Sequence, residues 1–291
     1  MLSMTNYNDL LAGAKGLLGD CIRILSDINP NYVVVGGWSP LILNSGQIKH
    51  PGTHDVDLLF SEGYKEGQLG DVFNLFLSNG YKTSAKHRFQ LLKIISVAGR
   101  EFVYNIDFLH SSDNQTREDM FVDHLKLPVP LNEYCDETYM EMSIKAPNSE
   151  VLFRYGLFET IEQDFHLPDG TSAIMKFPLI NEAGLIITKT ESVKQAKRKR
   201  DSFDIYLAIK QARDYQQLVS IFRRIKNENG DLFNTLYGIR EALEKYGMVS
   251  NILEYAYSTS DERASEATRA RKDILSFLSD VGLDPLAKHS Y

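Results

Sequence analysis

Asp55 and Asp57 stand two residues apart in the run DVDLLF. If residues 55–60 form a strand, the two-residue period puts Val56, Leu58 and Phe60 on one face and both carboxylates on the other, about 7 Å apart at Cα. That span suits joint coordination of one or two magnesium ions. A lone D-x-D is what composition supplies by chance, so its surroundings must carry any chemical reading. Residues 101–109 show the same polarity, with Phe102, Tyr104, Ile106 and Phe108 on one face and Asn105 and Asp107 on the other. Placed in the same sheet, Asp107 is a third carboxylate beside the pair. Three carboxylates on one face raise each other's pKa unless a cation neutralises them or water solvates them. Two-metal phosphoryl or nucleotidyl transfer requires such a cluster, because the ions clamp the triphosphate and activate the attacking oxygen.

Upstream, the apolar run Tyr32 to Val35 stops at Gly36-Gly37, and Ser39-Pro40 reads as the N-cap and first residue of a short helix ending at Leu43. A glycine turn at that junction lets backbone N–H groups approach and hold a phosphate, making Gly36, Gly37 and Ser39 candidate nucleotide contacts. Downstream, Lys189 to Arg200 carries six basic residues against one acid in a chain that is acidic overall. A solvated helix end is the ordinary reading of such a run; contact with a triphosphate or with RNA phosphates is the functional one. His50 and His54 flank Pro51-Gly52, which excludes a helical H-x-x-x-H metal site, and His54 is read as a loop residue beside the pocket. Trp38, the only tryptophan, is read as core packing in preference to base stacking. Tyr155, Phe158 and Phe165 lack the basic interleaving of an RNA platform.

The elements that must hold these residues follow from periodicity. Apolar positions from Leu10 to Leu25 recur at helical spacing, with Asn6 or Asn8 as N-cap. Strands are expected at 32–35, 55–60, 90–97 and 101–109, the last two joined by a hairpin turn at Ala98-Gly99-Arg100, and a helix at 71–78 ends at Asn79-Gly80. Between His110 and Lys176 the pattern weakens, with strands only near 139–144 and 172–177. Helices follow at 181–193, 202–212, 216–225, 232–246 and 262–279. The fold class is therefore α/β (α+β): a small mixed sheet with helices over 1–145, a connecting segment over 146–177, and a mainly helical C-terminal domain over 178–291.

With 291 residues and 43% hydrophobic content, the chain can bury a substantial core. A formal net charge of -7 excludes a globally basic nucleic-acid coat and leaves room only for a local basic groove. Cys21 and Cys135 are the only cysteines, so neither a disulfide framework nor a cysteine zinc site is indicated. The first 20 residues lack a signal-peptide pattern, and no apolar run reaches membrane-spanning length. The expectation is a soluble, cytoplasmic protein.

Together, Val33 to Ser39, Asp55-Val56-Asp57 and Asp107 resemble the nucleotidyltransferase superfamily, whose pattern is an apolar strand, Gly-Gly or Gly-Ser, a spacer, Asp-x-Asp and a third acid on a later strand. The spacer from Ser39 to Asp55 is longer than usual, and Gly37 stands where a serine is familiar. Residues 182–209, EAGLIITKTESVKQAKRKRDSFDIYLAI, are similar to the later motifs of the AbiEii and MenT branch, with Lys189 as the helical lysine and Arg200, Asp201 and Asp204 as the R-D-x-x-D segment. The resemblance implies a magnesium-dependent transfer of NMP from an NTP to an acceptor hydroxyl. Asp55, Asp57 and Asp107 would hold a two-ion site. Gly36, Gly37, Ser39, Lys189 and Arg200 would bind the triphosphate, and Asp204 would orient Lys189 or assist the acceptor. Asp201 is also open to a plain helix N-cap role. Members act as toxins of toxin–antitoxin systems, some on the acceptor end of tRNA, which implies an RNA acceptor and a cognate antitoxin. A small-molecule or protein hydroxyl as acceptor, and a catalytically silent nucleotide-binding partner, are the alternatives.

Overall fold

The structure is a computed structural model that describes residues 5–28, 30–44, 46–61, 69–112, 118–126, 138–146 and 148–283; of residues 118–126 and 138–142 only the backbone is described. The chain divides into two compact units, residues 1–38 with 52–179, and residues 39–51 with 180–291. It is a mixed α/β protein, as the periodicity indicated, with helices concentrated in the second unit.

The first unit is built on a ten-stranded sheet. In chain order it comprises β1 (Asn6–Tyr7), α1 (Leu10–Ser26), β2 (Tyr32–Val35), the start of α2 (Trp38–Ile42), β3 (Asp55–Phe60), α3 (Gly70–Ser78), β4 (Lys82–Thr83), β5 (Gln90–Val97), β6 (Arg100–Ser111), β7 (Glu118–Lys126), β8 (Thr138–Ala146), α4 (Glu150–Tyr155), β9 (Phe158–His166) and β10 (Ser172–Ile180). The strand order is β1-β5-β6-β3-β2-β10-β9, and β8 pairs with the last residues of β6 and with β7. Residues 146–177 thus carry α4, β9 and most of β10.

Strands β3 and β6 run parallel, and β3 is antiparallel to β2. Their alternation is that of a half-buried sheet: Val56, Leu58, Tyr104, Ile106 and Phe108 are buried, whereas Asp55, Asp57, Asn105 and Asp107 are half-exposed. The buried face is closed by α1 and by an aromatic cluster in which Phe108 meets Phe60, Phe73 and Phe76 at centroid distances of 5.7, 3.9 and 5.5 Å. Asp9, not Asn6 or Asn8, caps α1 by accepting from the Ala12 amide at 2.8 Å. Asn6 is engaged elsewhere, its side-chain oxygen accepting from the Gly99 amide in the β5–β6 turn. Cys21 is a buried free thiol; Cys135 lies outside the described residues.

The second unit is helical: α5 (Glu182–Lys189), two short 3₁₀ turns at Ser192–Lys194 and Ala196–Arg198, α6 (Lys199–Lys210), α7 (Tyr215–Glu228), α8 (Gly230–Asn234), α9 (Tyr237–Lys245), α10 (Met248–Ala256) and α11 (Ser260–Asp280). Helix α6 is its centre, buried at every position from Asp201 to Ile209 and packed against α5, α10 and α11. The single helix expected over 232–246 is two, α8 ending at Asn234 and α9 starting at Tyr237; within α9, Gly238 sits against the Thr190 carbonyl, where a Cβ would lie 2.5 Å from that oxygen. No helix among the described residues is long and apolar enough to cross a membrane.

Candidate active site

One rung of the sheet collects the residues singled out above. Val35 on β2 pairs with Asp57 on β3, Asp57 pairs with Asp107 on β6, and Asp107 pairs with Gln90 on β5. Neighbouring strands are about 4.8 Å apart, and side chains at paired positions share a face, so Asp57 and Asp107 are lateral neighbours with Asp55 two residues along. Their partners hold them in place. Asp55 Oδ1 accepts from Thr53 Oγ1 at 2.5 Å, and Asp107 Oδ1 accepts from Gln90 Nε2 at 2.8 Å and Asn105 Nδ2 at 2.9 Å.

Gly36 follows directly on the rung. Its φ of +77° belongs to the left-handed region that side-chain-bearing residues avoid, and a Cβ there would overlap Asp57 Oδ2. The glycine turn and the acidic strand are therefore packed backbone against carboxylate, which is why both must occur together. Trp38 is 2% exposed, and its indole N–H donates to the Asp55 carbonyl at 2.8 Å, tying the turn to the start of β3. That anchor places Trp38 at the first residue of α2, so Ser39 lies inside the helix instead of capping it, with 1% exposure. Among the described residues, no group of three or more His, Cys, Asp or Glu side chains is spaced to hold a metal ion.

A second polar cluster lies inside the helical unit. Lys189, at the end of α5, donates from Nζ to Asp201 Oδ1 at 2.5 Å and ion-pairs Asp204 Oδ2 at 2.9 Å. Asp201 and Asp204 are three residues apart on α6 and so share a helix face. His50 Nε2 lies 3.1 Å from Asp204 Oδ1. An ionised carboxylate only accepts, so the imidazole donates. Burial alone would push the Asp204 carboxyl up, but the Lys189 ammonium and the His50 hydrogen bond outweigh it and hold the group at about 2. Burial alone would depress the Lys189 ammonium; Asp204 and Asp201 outweigh it and keep it above its ordinary range.

The sequence-derived residues thus fall into two groups, each described in its own unit: Gly36, Gly37, Asp55, Asp57 and Asp107 in the first, and Ser39, Lys189, Arg200 and Asp204 in the second. Asp201 is not a helix cap; α6 begins at Lys199 after Arg198, and Asp201 is in its first turn, drawn inward by Lys189. Arg200 is half-buried beside it. Of the basic run, Lys194 pairs with Glu191 at 2.6 Å, while Lys197 and Arg198 are exposed. His54 is exposed, as a loop residue should be, whereas His50 is buried in the ion cluster, and Thr53, Gln90 and Asn105 are partners of the acids that spacing alone did not reveal. Gln90 was legible only through register, as the cross-strand neighbour of Asp107, whereas Asn105 shares the Asp107 face by the strand's own alternation.

No protein-family model matches the chain, and no curated protein matches it. Among solved structures, it is similar to an antigenic nucleotidyltransferase-like protein from Paracoccidioides brasiliensis, at 13% identity and a TM-score of 0.31, over 80% of this chain and 95% of that one.

Proposed function

We propose that the protein is a magnesium-dependent nucleotidyltransferase that moves an NMP from an NTP to an acceptor hydroxyl. The observation that supports it is the rung: a positive-φ glycine turn packed on Asp57, with Asp107 beside it and Asp55 on the same face. The donor set is hard carboxylate oxygen, which suits magnesium. That ion characteristically binds through one or two carboxylates plus substrate phosphates and not in an all-protein cage, so an incomplete protein-only ligand set fits it. Asp55, Asp57 and Asp107 would hold the metal, which when bound supplies charge neutralisation for the triphosphate. Asp107, anchored by Gln90 and Asn105, would complete that cluster or act as base toward the acceptor hydroxyl. Gly36 and Gly37 present backbone to the phosphates, and Lys189 and Arg200 supply positive charge that grows in value as pyrophosphate leaves.

RNA, and tRNA in particular, is the proposed acceptor, in a toxin-like role that a cognate antitoxin would restrain. The charge distribution supports a polyanion: Asp and Glu outnumber Lys and Arg 23 to 13 in the first unit, while basic residues lead 19 to 16 in the second. The test is incubation with each labelled NTP, magnesium and total cellular RNA, followed by a gel. Labelled RNA supports the reading. Turnover without labelled RNA moves the acceptor to a small molecule or protein, and no turnover with any NTP leaves a silent nucleotide-binding partner. Asp55→Asn and Asp57→Asn should each lower transfer by about 10²-fold or more; full activity in either variant sinks the mechanism.

A further inference from the structure

We propose that His50 is a positioning residue for Lys189, acting through Asp204; the catalytic consequence rests on the reading of Lys189 as a triphosphate ligand. The argument begins with how His50 is delivered. After α2 the described residues up to His50 have no regular structure, yet they are fastened to α6 and its C-cap by Gln211. The Gln211 amide donates to Asn44 Oδ1 at 2.6 Å and to the Ile48 carbonyl at 3.0 Å, and accepts from the Ile48 amide at 2.9 Å. Gly46 lies so close that a Cβ would overlap the Gln211 side chain. A loop restrained at this many points presents its last residues in one geometry.

His50 then has little freedom left. Its side chain is 1% exposed, its ring stacks on Phe203 at 6.1 Å and 18°, and Nε2 is aimed at Asp204 Oδ1. A carboxylate held at one oxygen turns readily about its terminal torsion, which has broad minima. Held at both, it does not. His50 takes Oδ1, so Oδ2 is left facing Lys189, and Asp201 takes a hydrogen bond from the same ammonium on the other side. An ammonium has three N–H groups. The two carboxylates fix the direction of the remaining donor capacity, and the Lys189 side chain keeps 11% of its surface exposed. Removing His50 frees Asp204 to rotate and Lys189 to follow.

The experiment uses the full chain and two variants. His50→Phe keeps a ring against Phe203 and removes the donor; His50→Gln returns an N–H near the position of Nε2. The first readout is reductive methylation of Lys189 by formaldehyde, followed by peptide mass spectrometry, with Lys93 as an internal standard for folding. The second is kcat and KM for magnesium-dependent transfer. His50→Phe should speed methylation at Lys189 by about tenfold with Lys93 unchanged, and should lower kcat by about 10²-fold with a smaller change in KM. His50→Gln should bring both back to within about threefold of wild type. Should His50→Phe not fold, His50→Asn, whose shorter side chain withdraws the donor, takes its place in the same comparison. The proposal is overturned if a folded donor-less variant leaves Lys189 as protected as in wild type, or if His50→Gln behaves like it. If wild type transfers nothing from any NTP, the transferase reading fails on its own, while methylation still decides for or against His50.

Discussion

Replacing Gly36 by alanine separates backbone strain from displacement of an acid. At φ +77° an alanine pays the left-handed penalty of about 1 kcal/mol. Its Cβ would also overlap Asp57 Oδ2 and lie 3.2 Å from Asp57 Cγ, so the carboxylate has to shift. Restoring normal contact takes a movement on the order of 1 Å. Misplacement of that size at a reacting centre costs about 10²-fold in rate. Gly99 provides the control, since its φ is +76° in the β5–β6 turn and a Cβ there meets nothing within 4 Å. Gly99→Ala should therefore carry the strain alone. In thermal unfolding Gly99→Ala should lose about 1 kcal/mol, a shift of roughly 2–4 °C, and Gly36→Ala more than that. In the labelled-NTP assay Gly36→Ala should fall by about 10²-fold, with Gly99→Ala close to wild type. Equal transfer by the two folded variants would refute the placement of Asp57 against the glycine turn as the basis of activity.

Two further outcomes follow from the same geometry. Asp204→Asn breaks a buried ion cluster and should destabilise the protein by about 3–5 kcal/mol, measured by urea unfolding at neutral pH. The sign of its pH dependence is fixed by a folded-state value depressed from 3.8 to about 2. Asp204 contributes its stability in full above the ordinary carboxyl range and loses it as pH falls from about 4 to about 2. Wild type should thus lose on the order of 2 kcal/mol more than Asp204→Asn across that window, and parallel profiles would rule the ion cluster out as the cause. Trp38→Phe removes the indole donor from the Asp55 carbonyl while keeping a ring in the core; about 1 kcal/mol of stability should go, read by the same unfolding curves.

The strands that bear the acids were legible because their two faces differ in polarity. Residues 55–60 and 90–97 carry the same bounds in sequence and structure, and β6 extends the expected strand by one residue at its start and two at its end. The connection at 158–166 gave no strand signal because Glu159 and Gln163 share a face with Ile161 and Phe165, so the inward face is not continuously apolar. In the structure β9 is the last strand of the sheet order, where charged residues guard an open edge. Helix α10 (Met248–Ala256) lies in the interval between the expected helices at 232–246 and 262–279; α9 ends at Lys245, and Gly247, at φ +65°, is the N-cap from which α10 restarts. Rung geometry lay further out of reach. That Val35, Asp57, Asp107 and Gln90 share one line depends on register between strands distant in sequence, which no single stretch encodes.

The ion cluster was hidden because charge in a sequence is read as surface. Lys189 to Arg200 looked like one basic run, yet its first member is 9% exposed and three of its last four are exposed. A signal for the difference did exist: Asp204 sits inside FDIYLAI, and a helix apolar on all sides is a buried helix. A buried carboxylate demands a cation, and Lys189 is the lysine that ends the preceding α-helix, α5. What could not be inferred was His50, which is 154 residues away in sequence from the aspartate it contacts. Stability alone does not account for such a cluster. Buried ion pairs are commonly matched or bettered by apolar residues of the same volume, because desolvation offsets the Coulomb attraction. A fold that buries Lys189 between two aspartates and then fixes one of them with an imidazole restrains the ammonium, and under the proposed transfer directional positive charge is what a departing pyrophosphate would require.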